Sequence, residues 1–318
     1  MNKQPLVLAI SDANDPQLAM LADIPHYLIN SAATLQAAPR DAEVILHWSG
    51  PRDMVRSAFL ASPNLRWLHS RSAGLDSMLF PELVQSPIPV TNGTGVFSQS
   101  LGEFALAVIL YFAKDIRRLL RNQEACRWEQ YDMEELPGQT VGIVAYGDIG
   151  RAVASRVHAM GMRVLALKRH APSSPDPWIE RFYGPHQLHA MLSECDYVVV
   201  AAPLTAETRH MIGDDAIAVM KPNAVVINVG RGPVIHQAAL VRALAAGKIK
   251  GAGLDVFEHE PIPPDDPIFK LPNVLISPHT ADHTKDWLNQ AMRFFLEQYQ
   301  RFSNGQPLEN IVEKHLGY

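Results

Sequence analysis

Several stretches of this chain carry residue types whose spacing suits the binding and chemistry of anions. Thr140-Val-Gly-Ile-Val-Ala145-Tyr146-Gly147-Asp148-Ile149-Gly150-Arg151 reads as a strand running into a helix whose apolar face continues through Val153, Val157 and Met160. A helix N-terminus offers unpaired N–H groups and the positive end of its dipole, the setting in which a dinucleotide pyrophosphate is held. Ala145 stands at the first glycine of the G-x-G-x-x-G pattern, while Gly147 keeps the close backbone approach and Gly150 the helix–strand packing. Alanine there costs little if its φ is negative. An ordinary strand–helix junction would look the same, and the position at the head of a series of strands is what favours a dinucleotide. At the end of the next strand, about twenty residues on, an NAD site carries an acid for the ribose 2′-hydroxyl. Here stands Lys168-Arg169-His170. Two cations suit the 2′-phosphate of NADP, which an acid would repel. NADP is therefore the preferred cofactor and NAD a possible one; the competing reading is a solvated strand end. Three more segments, Asn228–Gly232, Gly253–Pro261 and Ser277–Ala281, fall just beyond expected strands, where ligands bind in open α/β sheets.

The elements that would position these residues follow from apolar patterning. LVLAI, HYLIN, EVILHW, LRWLHS and IPV alternate with helical segments such as Pro51–Ala61, the signature of a parallel sheet covered on both faces. Ser98 to about Asn122 reads as one long helix of roughly 37 Å at ~1.5 Å per residue. After Pro137-Gly138 come six runs of strand length: TVGIVA, RVLALK, YVVVAA, AVVINV, GAGLDV and VLISPH. Asp282 to Phe302 is again helical. The expected fold class is α/β: two Rossmann- or flavodoxin-like domains, each a parallel sheet with helices on both faces, one inserted into the other. Residues 1–98 and 285–318 form a substrate-binding domain and residues 99–284 the dinucleotide-binding domain.

Taken together the motifs resemble the D-isomer-specific 2-hydroxyacid dehydrogenase family, of the glyoxylate/hydroxypyruvate reductase-like kind. Ser72-Ala73-Gly74-Leu-Asp76, Thr91-Asn-Gly93 through Glu103, the dinucleotide turn, Pro203-Leu-Thr205 with Thr208, and the three segments above stand in family order. The resemblance implies that Arg231, Glu260 and His279 are the catalytic set. The chemistry asks for these types: a forked guanidinium to hold a carboxylate and polarise a ketone, an imidazole to deliver a proton, and a carboxylate to fix that imidazole. Glu258 competes with Glu260 on residue type alone; the family places the acid directly before proline, as in Glu260-Pro261. Family members that oxidise formate have an amide there. The resemblance further implies cofactor contacts from Ala145, Tyr146, Gly147, Asp148, Ile149, Pro203, Thr205, Thr208, Val229, Gly230, Arg231, Asp255 and His279, with Asp255 on the nicotinamide carboxamide. Ser72, Ala73 and Gly74, with Arg231 and His279, would receive the substrate, although a plain turn fits the first three as well. Asn92-Gly93-Thr94-Gly95 is hinge or contact. The helix from Ser98 with the Arg127-Trp128 arm resembles the family's dimer element, so a homodimer through residues 98–122 is expected. Trp128 either packs within its own subunit or reaches a partner's site.

Composition excludes other classes. The 318 residues are 47% hydrophobic and 19% charged, typical of a globular protein, and 28 basic against 33 acidic residues give −5, no overall attraction for nucleic acid or anionic lipid. Two cysteines, Cys126 and Cys195, form neither a disulfide framework nor a zinc site. No metal is expected, both cysteines read as structural, and a soluble cytoplasmic protein fits the absence of a signal or spanning segment. The expected activity is NAD(P)H-dependent reduction of a small 2-oxo acid to the D-2-hydroxy acid. The alternatives are a nucleotide-sensing corepressor-like protein, a short-form phosphoglycerate dehydrogenase, or another Rossmann enzyme such as a methyltransferase.

Overall fold

The structure is a computed structural model and describes residues 4–76, 78–170, 172 and 174–317. It divides into two compact units, one of Met1–Phe97 with Lys285–Tyr318 and one of Ser98–Thr284. Among the described residues no helix is long and apolar enough to cross a membrane.

The first unit begins with β1 (Val7–Ile10), β2 (His26–Ile29), α1 (Ala32–Gln36), β3 (Val44–His47), α2 (Arg52–Ala61), β4 (Trp67–Ser70), α3 (Pro81–Gln85) and β5 (Val90–Thr91). Its strands are parallel in the order β2-β1-β3-β4-β5, with Val7 opposite both His26 and Val44. Leu8, Ile10, Ile45, Leu68 and Val90 are buried with Val55 and Ala58 of α2, because runs with no polar face must be covered on both sides.

The second unit holds α4 (Ser98–Ala113), α5 (Ile116–Glu124), β6 (Thr140–Val144), α6 (Asp148–Ala159), β7 (Arg163–Leu167), β8 (Arg181–Tyr183), α7 (Leu188–Leu192), β9 (Tyr197–Val200), α8 (Asp214–Ala218), β10 (Val225–Asn228), α9 (Gln237–Ala245), β11 (Gly251–Leu254) and β12 (Val274–Ile276). The sheet is parallel throughout, ordered β12-β11-β10-β9-β6-β7-β8. All six expected strands are present, and a seventh, β8, extends the edge beyond β7. Three residues beginning with Arg181 are too short and too polar to announce a strand; buried Tyr183 is what anchors it. The chain closes with α10 (Trp287–Ser303) in the first unit, starting later than the Asp282 expected from its pattern.

The single helix expected from Ser98 to Asn122 is two helices. Asp115 takes a left-handed conformation (φ 43°), and its carboxylate accepts from Arg118 N at 3.3 Å, capping α5. Aspartate tolerates that region and competes with the helix for backbone N–H groups, so α4 stops although the apolar periodicity runs on through Leu119 and Leu120. Those two leucines are exposed on the chain.

His69 on β4 is fully buried beside the rings of Phe294 and Phe295, with Nδ1 2.8 Å from Thr91 Oγ1. Burial pushes its pKa down to about 3. The unfolded imidazole takes up its proton near 6.5, the ordinary value for histidine, so its contribution to stability is complete above that pH. It is lost as pH falls toward the folded value, by up to ~1.4 kcal/mol per unit. Burial lowers His47 in the same direction. Urea unfolding at pH 6.5 and pH 5 should therefore show a drop in stability that is about 1.5 kcal/mol smaller in His69→Phe than in the wild type; equal drops in the two proteins would remove His69 as the cause.

Candidate active site

The turn after β6 places Ala145, Tyr146 and Gly147 ahead of Asp148 and Ile149 in the first turn of α6. Gly147 is the N-cap residue and contributes no side-chain cap, and a Cβ added to it would meet nothing within 4 Å. The start of α6 is thus open to an approaching anion. Gly150 is the opposite case: its Cβ would lie 3.0 Å from Ala145 O and 3.1 Å from Ile143 Cγ2, the tight helix–strand packing expected of it. Ala145 has a φ of 71°, so the condition for a low cost is not met. The backbone makes the turn that the first glycine of the motif usually makes, at a cost of ~1–2 kcal/mol for an L-residue in this region.

Tyr146 is buried and donates its hydroxyl to Asp176 Oδ2 at 2.9 Å; burial and that carboxylate push its pKa up, so it stays a neutral donor. Arg151 reaches the same oxygen at 3.0 Å. Lys168 Nζ donates to Tyr146 O at 3.3 Å, whereas Arg169 forms an ion pair with Glu207 at 2.6 Å. His170, next in line, is exposed. In the loop after β9, Thr208 Oγ1 donates to Pro203 O at 2.6 Å, and Thr205 and Thr208 cap each other's backbone N–H groups.

At the end of β10, Val229 N donates to Val200 O. Asn228 accepts from Gly230 N and donates to Arg231 O, both at 3.1 Å, folding the backbone around itself. The Arg231 guanidinium donates to Gly230 O at 2.9 Å. Gly232 lies against β11's exit so closely that a Cβ would come within 1.8 Å of Phe257 O. This contact ties the segment carrying Arg231 to the one carrying Glu260.

Asp255 is almost fully buried. Its Oδ1 accepts from Ser277 Oγ at 2.6 Å, Thr280 N at 3.0 Å and Ala281 N at 3.1 Å, and its carbonyl accepts from His279 N at 2.9 Å. The turn so held puts His279 in the left-handed region, φ 54°. His279 Nδ1 lies 2.7 Å from Glu260 Oε2, and Glu260 Oε1 accepts from Phe257 N at 2.8 Å. The imidazole is 46% exposed, accessible to a reactant. Glu258 has its own histidine: His210 Nε2 is 2.6 Å from Glu258 Oε1. Of the two acids, Glu260 is the one paired with His279.

In the first unit, Ser72-Ala73-Gly74 follows β4. Asn92 Nδ2 donates to Ala73 O at 2.6 Å and Gly93 N to Ser72 O at 3.3 Å, so the Asn92-Gly93 segment buttresses this turn. Arg71, one residue earlier, lies between the rings of Trp48 and Trp287 at 5.1 and 5.2 Å. Sequence reasoning passed over Arg71, Asp176 and Glu207, and also missed the grip of Asp255 on the His279 turn, since none of these contacts is local in the chain. Trp128 is 95% exposed and so does not pack on its own subunit. Cys195 is buried, which pushes its thiol up to about 12, while Cys126 is exposed. Among the described residues no group of three or more His, Cys, Asp or Glu is placed to hold a metal ion.

Comparison with known proteins gives concordant results. The family profile described as "D-isomer specific 2-hydroxyacid dehydrogenase, NAD binding domain" matches residues 106–281. A glyoxylate reductase from Korarchaeum cryptofilum is 36% identical over 81% of this chain and 79% of its own length. The crystal structure of a D-isomer specific 2-hydroxyacid dehydrogenase from Xanthobacter autotrophicus, in complex with NADPH and MES, superposes with a TM-score of 0.86 at 30% identity, covering 98% of this chain and 99% of that one. An NADPH-dependent glyoxylate/hydroxypyruvate reductase from Sinorhizobium meliloti, solved with NADP and sulfate, gives 0.87 at 25% identity over 99% and 100%.

The left-handed Ala145 generates a prediction. Ala145→Gly should raise stability by about 0.5–1 kcal/mol in urea unfolding, the relief of strain exceeding the added chain entropy of glycine; a loss of stability would show that the alanine is unstrained.

Proposed function

The chain belongs to the D-isomer specific 2-hydroxyacid dehydrogenase family and is an NAD(P)-dependent oxidoreductase; from that premise we propose that it reduces a small 2-oxo acid of the glyoxylate or hydroxypyruvate type with NADPH. The product is the 2-hydroxy acid, of D configuration where it is chiral. The names of its relatives support this substrate class, and the observation that carries it is the 2.7 Å pairing of His279 with Glu260.

The cofactor residues fit a dinucleotide. The uncovered N-terminus of α6 and the open face of Gly147 leave room and N–H donors for a pyrophosphate. Lys168 and Arg169 supply cations for a 2′-phosphate, and Pro203, Thr205, Thr208, Val229, Gly230 and Asp255 line the carboxyl ends of the neighbouring strands, where the rest of the cofactor belongs. When bound, NADPH supplies the hydride that the carbonyl carbon of the substrate accepts.

Arg231 holds the substrate carboxylate and polarises the ketone, its planar fork fixing the orientation. His279 in its protonated form donates Nδ1–H to Glu260 and presents Nε2–H to the substrate oxygen, delivering the proton that the forming alkoxide needs. Glu260, accepting at Nδ1, fixes the orientation of the ring and leaves Nε2 toward the substrate. In the reverse direction the neutral imidazole removes the hydroxyl proton. In the first unit, Ser72, Ala73 and Gly74 offer small residues and backbone N–H groups suited to an anionic substrate, with the Arg71 guanidinium adding positive charge beside them. A homodimer through the α4–α5 region would cover exposed Leu119, Leu120 and Trp128. An intact Arg231, Glu260 and His279 favours catalysis over a purely sensing role.

Loss of NADPH absorbance with glyoxylate, hydroxypyruvate, pyruvate, phenylpyruvate and 2-ketogluconate tests the reading. Turnover is expected to be fastest with the first two, and His279→Gln should lower kcat by about 10²-fold or more. Tight NADPH binding without turnover on any of the five would favour a sensor, and an unchanged kcat would remove His279 from the reaction.

A further inference from the structure

β7 and β9 both pair with β6, one on each side. The loops that follow them therefore flank the dinucleotide turn at the end of β6, and a side-chain bridge from one loop to the other crosses the mouth of that turn. Such a bridge is present: Arg169 Nη2 donates to Glu207 Oε2 at 2.6 Å, across 38 residues of sequence. Glu207 is held at this place by its turn. Thr205 N donates to Thr208 Oγ1 at 2.8 Å, Thr208 N to Thr205 Oγ1 at 3.2 Å, and Arg209 N to Thr205 O at 3.0 Å. The acid is 75% exposed and the arginine 32%, so a solute anion can reach the pair.

We propose that Glu207 is a specificity-determining residue that works against the 2′-phosphate of NADPH by holding Arg169 in this bridge. The inference rests on the NADPH reading above. A phosphate carries more charge than a carboxylate and accepts a guanidinium through two parallel hydrogen bonds, so it takes Arg169 over. The exchange forfeits the bridge and leaves the Glu207 carboxylate unpaired beside a dianion. NADH has a 2′-hydroxyl, does not compete for Arg169, and leaves the bridge closed. Lys168, donating instead to Tyr146 O of the turn, is untouched by the exchange. Glu207 thus narrows the gap between the two cofactors that Lys168 and Arg169 open.

Equilibrium titrations of the full chain, read by isothermal calorimetry, test this with NADPH, NADH, 2′,5′-ADP and 5′-AMP as probes. Because an exposed ion pair contributes little, Glu207→Gln should tighten NADPH and 2′,5′-ADP by about two- to fivefold, leaving NADH and 5′-AMP within about 1.5-fold. Arg169→Gln should weaken NADPH and 2′,5′-ADP by about tenfold and barely move the other two. Raised ionic strength should shrink the Glu207→Gln effect. A wild type that prefers NADPH combined with unchanged NADPH affinity in Glu207→Gln, or with equal tightening of NADPH and NADH, overturns the role of Glu207 and leaves the cofactor reading standing. A wild type that binds NADH more tightly than NADPH overturns the cofactor reading and this inference with it.

Discussion

One buried carboxylate, that of Asp255, organises the part of the second unit that carries His279 and Glu260. It stands where β11 leaves the sheet, and a carboxylate at that depth must be satisfied by hydrogen bonds or lose several kcal/mol. Ser277, Thr280 and Ala281 satisfy one of its oxygens, and in doing so they bend the chain after β12 into the left-handed turn at His279. Two residues beyond Asp255, Phe257 N holds Glu260. Both members of the imidazole–carboxylate pair are therefore suspended from the end of the same strand. Their 2.7 Å approach follows from how that strand end is anchored, with little left to side-chain rotation.

Arg231 is joined to this frame through backbone. The contact of Gly232 with Phe257 leaves no room for a side chain, so the 3₁₀ turn after Arg231 and the exit of β11 move as one. The dinucleotide turn is built on another principle. There the strain of a left-handed alanine is tolerated because Gly150 packs onto its carbonyl and Tyr146 is pinned by Asp176. Backbone N–H groups at the start of α6 are left uncovered, which is what binding an anion requires.

Much of this was legible in the sequence. Runs such as TVGIV and YVVV have no polar face and can only be strands buried on both sides, and glycine and proline punctuation placed their ends. Arg231, Glu260 and His279 were named as the proposed catalytic set through the family resemblance, carried by local patterns: Gly after arginine, proline after glutamate, Ser-Pro before histidine. What stayed hidden depends on contacts between distant residues. Asp115 can cap a helix, but the apolar spacing that continues past it through Leu119 and Leu120 hid the break. The positive φ at Ala145 belongs to the turn the motif usually gives to glycine, and an alanine in that place does not announce it. Arg169 read as a free phosphate ligand because Glu207 lies in another loop, and Asp255 read as a cofactor contact because the amides it also accepts from come after the next strand.

The most direct test of the central claim is a crystal structure of the chain with NADPH and oxamate, an unreactive analogue of a 2-oxo acid. The account predicts the oxamate carboxylate on the Arg231 guanidinium and its carbonyl oxygen within about 3 Å of His279 Nε2, with Nδ1 still on Glu260. An analogue bound with His279 turned away from it, or with Glu260 released from the imidazole, would contradict the account.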